Sequence, residues 1–162
     1  LMQQKFVFKV LAGAKKFGIH TAIETNGYLG ANLSDADLAN LDLVLLGIKS
    51  WEPARHKDLT GREIGPTLDF ARRLAAAGKP IWVRFVLVPG LTDHPDDIAG
   101  IARFARELGN VKRVEVLPFH QLGAFKWQAL GLEYQLADTP PASPELLARV
   151  LGQFRDAGCN AR

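Results

Sequence analysis

The sequence has a single cysteine, Cys159, and this scarcity limits the chemistry that the chain can support. One thiol cannot form a disulfide within the chain, and it cannot supply an all-cysteine metal site. The chain also has no run approaching the ~18 unbroken apolar residues of a membrane-spanning helix. A disulfide-stapled secreted fold and a membrane span are therefore both disfavoured.

Charge of one sign is not concentrated anywhere in the chain. The net charge is +3, but acidic residues lie between the basic ones throughout. No basic tract of the kind that follows a phosphate backbone is present, so we expect no nucleic-acid partner. No signal peptide or lipidation motif is visible, which indicates a cytoplasmic protein. The chain has 162 residues, of which 48% are hydrophobic, and this suffices for a single domain, residues 1–162, with its own core.

What is present is a repeated unit: an amphipathic helix, a glycine, and then an apolar run. The predicted helices are 2–17, 66–77, 95–108 and 144–157, with a short helix at 34–40. The predicted strands are 19–25, 41–49, 80–88 and 111–119. Because the strands alternate with helices and are near-continuous apolar runs, the fold class is α/β, with a parallel sheet covered on both faces.

Ligands of parallel α/β sheets bind at the carboxyl ends of the strands, and polar residues collect there in this sequence. The first strand ends in Glu24-Thr25-Asn26-Gly27, the second in Gly47-Ile48-Lys49, and the fourth in His120, while the third carries Arg84. Each of these residues alone is more often structural than functional. Together they suit a small zwitterionic or carboxylate-bearing ligand, because a carboxylate holds an amine and the cations hold an acid group.

Other polar residues are better explained by structure. Asp96-Asp97 stands in the first turn of a predicted helix, where it complements the helix dipole. The remaining histidines, His20, His56 and His94, have no partner at metal-ligand spacing and are interpreted as surface or packing residues. The glycines are isolated, so no phosphate-binding loop is predicted.

The start of the chain is unusual. It opens with Leu1 already inside the first amphipathic helix, with no capping residue before it. This pattern predicts that the sequence begins within a domain, as a fragment of a longer protein.

Several stretches resemble one protein family, the pyruvate formate-lyase activating enzymes. These stretches are IETNGY, LLGIK, WVRFVLVPGLTD, and VEVLPFHQLGAFKW followed by GLEYQL. The family consists of radical S-adenosylmethionine proteins with a partial (β/α)6 barrel. The resemblance implies that this chain is the C-terminal part of such a barrel, with about its last four strands, lacking the first two strands and the cluster loop.

The resemblance also implies an activity. In the family, a 4Fe–4S cluster held by a Cys-x-x-x-Cys-x-x-Cys loop binds S-adenosylmethionine, and one-electron reduction yields a 5′-deoxyadenosyl radical. That radical abstracts hydrogen from a glycine of pyruvate formate-lyase, the protein substrate. The cofactors carry this chemistry, and the protein orients them. A flavodoxin-type reductant and a monomeric protein are further expectations.

Site residues are implied position by position. Lys49 and His120 correspond to family residues that contact S-adenosylmethionine, and Arg84 lies on a strand lining the same cavity. Glu24 stands at a family carboxylate position, and Thr25 beside it resembles part of a monovalent-cation site. Asn26, with the glycine after it, completes that loop, and Gly47 and Ile48 lead into Lys49. The resemblance implies that these three residues also belong to the cofactor-binding site.

The sequence departs from the family at two places. The cysteine loop and the Gly-Gly-Glu motif that grips the methionine amine are absent, so we expect this chain alone to be inactive. The family commonly has aspartate where this chain has Gly47. Glu24 is one methylene longer than the usual aspartate, and we hypothesise that it reaches across to compensate.

Two alternatives stay open. The first is a (β/α) lyase or isomerase that uses Lys49 as an amine nucleophile and Glu24 or His120 as base. The second is a non-catalytic module that binds a partner protein through the loop Phe125-Lys126-Trp127.

Overall fold

The computed structural model describes all 162 residues, and it places four parallel strands side by side in the order β1-β2-β3-β4. The strands are β1 (Ala22–Thr25), β2 (Leu43–Gly47), β3 (Ile81–Leu87) and β4 (Val111–Pro118). The helices are α1 (Gln4–Lys16), α2 (Asp35–Ala39), α3 (Pro53–Thr60), α4 (Gly65–Ala76), α5 (Pro95–Leu108), α6 (Ala124–Ala129) and α7 (Pro144–Asp156). Short 3₁₀ turns occupy Gly30–Asn32 and Gln121–Gly123. The predicted parallel α/β class is confirmed.

The two faces of the sheet are covered unequally, which differs from the expectation of burial on both. On β3, Ile81, Val83, Phe85 and Leu87 are fully buried, while the residues between them are partly exposed. Phe154 of α7 meets Phe85 edge to face with ring centroids 5.7 Å apart, so α7 packs on the buried face. We call the other, partly open face the inner face. Its residues alternate with core residues because side chains on a strand point to opposite sides.

Two helices were not predicted from the sequence, α3 and α6. The α3 sequence is polar and gives no apolar stripe, but its ends carry signals: the Glu52 carboxylate caps the amides of Ala54 (3.0 Å) and Arg55 (2.7 Å). At the other end Gly61 takes the left-handed conformation, with φ of 68°. The six-residue α6 is too short to show a helical period.

The last residues of the chain extend the sheet beyond β4. Val114 and Ala161 form a parallel bridge, and Val116 donates its N–H to the Arg162 carbonyl at 2.9 Å. This contact brings the Arg162 side chain to the β4 edge of the sheet, where it reaches the inner face. None of the helices is long and apolar enough to cross a membrane.

Candidate functional site

A charged contact crosses the inner face from β3 to β1. Arg84 Nη1 lies 2.5 Å from Glu24 Oε1, although β2 runs between their strands. Gly47 is the β2 residue in register with Arg84, and it has no side chain to block the guanidinium. A Cβ added at Gly47 would meet only the Thr25 carbonyl, at 3.8 Å, so the space above β2 is open. The strand register therefore brings together two of the predicted site residues.

Glu115 extends this contact to β4, and sequence reasoning missed it. Its carboxylate lies 3.4 Å from Arg84 Nε, 3.7 Å from Arg113 Nη1 and 3.1 Å from Arg162 Nη2. The Arg113 guanidinium in turn stacks 4.0 Å above the Trp82 ring. The sequence did contain a signal for Glu115: residues two apart on a strand lie on the same face, so Arg113 and Glu115 share one face of β4. That face lies beside Trp82 and Arg84. Identifying the partners required the register.

Lys49 follows the end of β2 and lies half-buried beside this charged row. Burial lowers the pKa of the Lys49 ammonium below its ordinary value; the Glu24 carboxylate opposes that effect and the Arg84 guanidinium adds to it. The preceding residue, Ile48, is fully buried in the core and donates its N–H to the Arg84 carbonyl at 3.3 Å. Ile48 thus holds β2 against β3, while Lys49 faces the site.

An open cavity of about 180 Å³ adjoins Lys49. Its lining is mostly apolar and comes from α3, the β3 end and the segment after α6: Leu59, Thr60, Val86, Val88, Leu91, Thr92 and Leu136. A single ammonium beside apolar walls suits a ligand with an anionic group on an apolar body.

The turn after β1 uses its polar side chains internally. Thr25 Oγ1 accepts from the Gly27 N–H at 3.0 Å, and Asn26 Oδ1 accepts from the Tyr28 N–H at 3.1 Å. Gly27 has φ of 73°, which explains the glycine. A second cavity, of about 440 Å³, opens here and is lined by Leu1, Met2, Glu24, Thr25, Asn26, Tyr28, Leu29 and Arg62.

The oxygen atoms of the predicted monovalent-cation site already have partners within the chain. The Glu24 carboxylate is paired with Arg84, and the Thr25 hydroxyl already accepts a hydrogen bond. Nowhere in the chain do three or more His, Cys, Asp or Glu side chains come together to hold a metal ion. The cation site remains a prediction.

His120 lies exposed just beyond β4, and its imidazole Nδ1 accepts from the Leu122 N–H at 3.4 Å. The structure gives it no hydrogen bond to Glu24, Arg84 or Lys49. Its neighbour Gln121 connects this end of β4 to the Lys49 cavity, because Gln121 Nε2 donates to the Leu136 carbonyl at 2.8 Å and Leu136 lines that cavity.

Cys159 lies apart from these residues. It follows α7 and shares a small cavity with Gly109 and Val111, at the amino end of β4. Its Sγ is 3.6 Å from the Ala102 carbonyl, and burial raises the pKa of the thiol. The only thiol of the chain is thus at the opposite end of β4 from His120.

Asp97 is the second residue that the sequence interpretation underestimated. Its side chain has no exposed surface, and its Oδ1 accepts from Ser50 Oγ (2.9 Å), the Trp51 N–H (2.8 Å) and the Glu52 N–H (2.7 Å). Arg55 completes the shell as an ion pair. Burial would raise the pKa of Asp97, but these donors outweigh it and hold the pKa below its usual range. The neighbouring Asp96 is exposed, in keeping with the helix-dipole interpretation.

Comparison with known proteins gives concordant matches. The model of the Radical SAM superfamily matches residues 1–105. The pyruvate formate-lyase 1-activating enzyme of Escherichia coli K12 is 38% identical over 160 residues, covering 98% of this chain and 65% of that protein. The pyruvate formate-lyase-activating enzyme of Streptococcus mutans is 39% identical over 150 residues, covering 89% of this chain and 57% of that protein. This chain therefore spans less than two thirds of the length of these relatives.

A solved structure also resembles the chain along its whole length. A domain of a pyruvate-formate lyase-activating enzyme from Bacteroides vulgatus matches with a TM-score of 0.82 at 21% identity, covering 99% of this chain and 91% of that domain. At this identity the likeness bears on the fold alone. The resemblance predicted from the sequence motifs is confirmed by the relatives, and the predicted barrel strands are confirmed by the fold.

Proposed function

This chain belongs to the radical SAM superfamily, and we propose that it forms the S-adenosylmethionine-binding part of a glycyl-radical-enzyme activase. The observation that carries the proposal is the half-buried Lys49 ammonium, which stands at the carboxyl end of β2 beside an apolar cavity. That is where parallel α/β folds bind their ligands. The identity of 38% to the E. coli activating enzyme over 98% of the chain supports the same activity.

The residues present fit S-adenosylmethionine in charge and polarity. A methionine carboxylate suits the Lys49 ammonium, and the apolar walls formed by Val86 and Val88 suit the nucleoside. Arg84 and His120 are proposed as further contacts. Bound beside a reduced cluster, S-adenosylmethionine would supply a 5′-deoxyadenosyl radical for hydrogen abstraction from a glycine of the lyase, and Lys49 would hold its carboxylate. The task of the chain's own residues is to bind and orient the cofactor and to keep water out of the cavity.

The residues of this chain do not fit a 4Fe–4S cluster. Such a cluster is held by cysteine thiolates, and Cys159 is single, half-buried and at the amino end of β4. The activity is therefore proposed for a longer polypeptide that contributes the cluster ligands. Reduction by a flavodoxin-type donor is a proposed property of that polypeptide.

Glu24 is the proposed replacement for the carboxylate that the family resemblance implies at the Gly47 position. Support comes from the ion pair in which Arg84 reaches over Gly47 to Glu24, so the carboxylate is held next to the open space above β2. Glu24 also acts on Lys49, since its charge raises the Lys49 pKa. Thr25 and Asn26 are proposed to shape the turn that holds Glu24, with a monovalent cation bound beside Thr25.

Pyruvate formate-lyase is the proposed protein substrate, by the names of the relatives. The segment after β4 is the proposed contact surface, because Phe125 and Trp127 expose 64% and 43% of their surface close to His120. A monomer in the cytoplasm is the proposed state of the protein.

An anaerobic assay tests the activity. Iron-reconstituted full-length protein with reductant should release 5′-deoxyadenosine and generate a glycyl radical on the lyase, seen by electron paramagnetic resonance. Lys49→Met should raise the KM for S-adenosylmethionine. Lys57→Met is the matched control, because Lys57 is exposed and pairs only with Glu63 at 2.8 Å. Absence of 5′-deoxyadenosine would refute the proposed activity, and a substrate trapped on Lys49 by borohydride would favour the lyase or isomerase alternative.

A further inference from the structure

Helix α5 holds the loop that follows Lys49 through three positions on one of its faces. Asp97 binds the loop through its carboxylate, as described above. A Cβ at Gly100 would come within 2.7 Å of Trp51 Cδ2, so the absent side chain leaves room for the Trp51 ring. The Phe104 ring then meets Trp51 with centroids 5.7 Å apart. Residues 97, 100 and 104 are spaced three and seven apart, which places them on the same helix face.

The loop held in this way begins at the residue after Lys49. Ser50, Trp51 and Glu52 all donate to the same Asp97 oxygen, at 2.7 to 2.9 Å. Two consecutive backbone N–H groups and a fully buried hydroxyl are thereby fixed against α5. Lys49 is therefore anchored on one side by β2 and on the other by Asp97.

The same carboxylate positions a wall of the cavity. Arg55 belongs to α3 and pairs with Asp97, and Glu52 caps the first turn of that helix. Leu59 and Thr60, in the last turn of α3, line the cavity beside Lys49. The buried Asp97 carboxylate is thus connected both to the loop after Lys49 and to the α3 wall of the cavity.

We propose that Asp97 is a positioning residue for Lys49, acting through loop 50–52 and α3 to set the ammonium at the mouth of the cavity. The inference rests on the proposed function for the identity of the ligand, S-adenosylmethionine. The positions of the loop and the cavity do not depend on which ligand is bound. Asp97 itself touches no ligand, because its side chain has no exposed surface.

The two oxygens of Asp97 have different partners, which allows a graded test. Asp97→Asn can keep an oxygen for Ser50 and the two N–H groups, but it turns an amide NH₂ toward the Arg55 guanidinium. Asp97→Ala removes every contact and leaves buried donors unsatisfied. Asp96→Asn is the matched control, because that neighbouring carboxylate is exposed and makes no contact with the loop.

The first measurement needs no cofactor. Amine labelling at neutral pH, quantified by mass spectrometry, should proceed about threefold faster at Lys49 in Asp97→Asn. The amide NH₂ of that variant repels the Arg55 guanidinium, which loosens α3 and the loop and exposes the amine. The rate at the exposed Lys9, on α1, serves as the internal reference and should not change. Leu38→Ala, at a buried position of α2 that belongs neither to α5 nor to the loop, controls for a general loss of stability.

The second measurement uses the full-length activating enzyme. Asp97→Asn should raise the KM for S-adenosylmethionine about tenfold, as expected for one misplaced charged contact, with kcat within twofold. Asp97→Ala should raise it further, and Ser50→Ala substitutes for that variant if it does not fold. A merely structural role would give Asp97→Asn the same KM as Leu38→Ala.

The outcomes separate the two proposals. If Lys49 labelling and the KM in Asp97→Asn equal those of Asp96→Asn, the positioning role is wrong. If wild-type full-length protein cleaves no S-adenosylmethionine but Asp97→Asn still accelerates Lys49 labelling, the proposed function fails and the positioning role stands.

Discussion

Replacing Gly100 with alanine adds one methyl group at the contact between α5 and the loop after Lys49. The new Cβ would lie 2.7 Å from Trp51 Cδ2 and closer still to Cγ and Cδ1 of that ring. Carbon atoms in contact are separated by about 3.5 to 4.0 Å, so the indole has to move by roughly 1 to 2 Å. The ring cannot yield as a flexible chain end would, since the indole is rigid and also packs against Phe104.

Two effects of opposite sign decide the magnitude. Overpacking costs about 1–3 kcal/mol, and replacing a helical glycine with alanine returns about 1 kcal/mol of helix propensity. The net loss for Gly100→Ala is therefore up to about 2 kcal/mol. For a protein of this size that corresponds to a fall in Tm of roughly 4 to 8 °C.

Gly152→Ala provides the control within the same molecule. Gly152 also lies inside a helix, α7, but a Cβ there meets nothing within 4 Å. This variant should gain about 1 kcal/mol, so the difference between the two variants isolates the overpacking cost of about 1–3 kcal/mol. Urea unfolding followed by circular dichroism measures both, and tryptophan fluorescence reports the displacement of Trp51. Equal stability of the two variants would refute the Trp51–Gly100 contact.

Three further predictions concern charged and reactive groups. The pKa of Asp97 is lower in the folded than in the unfolded protein, so the carboxylate contributes its full stabilisation above about pH 4 and loses it as pH falls through the folded-state pKa. In Asp97→Asn the unfolding midpoint should therefore decrease less steeply between about pH 4 and lower pH than in the wild type. A double-mutant cycle of Glu24→Gln and Arg84→Met, measured by urea unfolding, should give a coupling free energy of about 0.2–1 kcal/mol. The coupling is small because Glu24 is mostly exposed and water screens its charge. A coupling above about 2 kcal/mol would contradict this. Burial raises the pKa of the Cys159 thiol, so less reactive thiolate is present at about pH 8. Its reaction with a disulfide reagent should be several-fold slower than that of a small free thiol, and should become as fast as that thiol when urea unfolds the protein.

Local sequence signals placed the helices and strands because their ends are marked by residue chemistry. Helix α5 was predicted with the bounds that the structure shows, 95–108, since Pro95 starts it and Gly109 ends it in the left-handed conformation. The first strand was predicted as 19–25 but pairs only over Ala22–Thr25. Ile19 is apolar, but its N–H bonds to the Ala14 carbonyl at the end of α1 and not to a strand, which a sequence pattern cannot reveal.

The charged contacts were beyond the reach of the sequence because they depend on strand order and register. Glu24 and Arg84 are 60 positions apart, and they meet only because Gly47 leaves the face of β2 bare between them. Asp97 accepts from residues 45 to 47 positions earlier, so its role differs from that of Asp96 although both occupy the same helix turn. The helix-dipole interpretation was adequate for Asp96 and incomplete for Asp97.

The sequence by itself determined the parallel α/β class, the end of the sheet where polar residues collect, and the family resemblance. These follow from hydrophobic periodicity, from capping residues and from short motifs, all of which act over a few neighbouring positions. Only the tertiary structure decided which charges pair, that Lys49 lies half-buried beside an apolar cavity, and that Asp97 anchors its loop. Those properties arise where segments distant in sequence pack together, and burial then sets the strength of each charge.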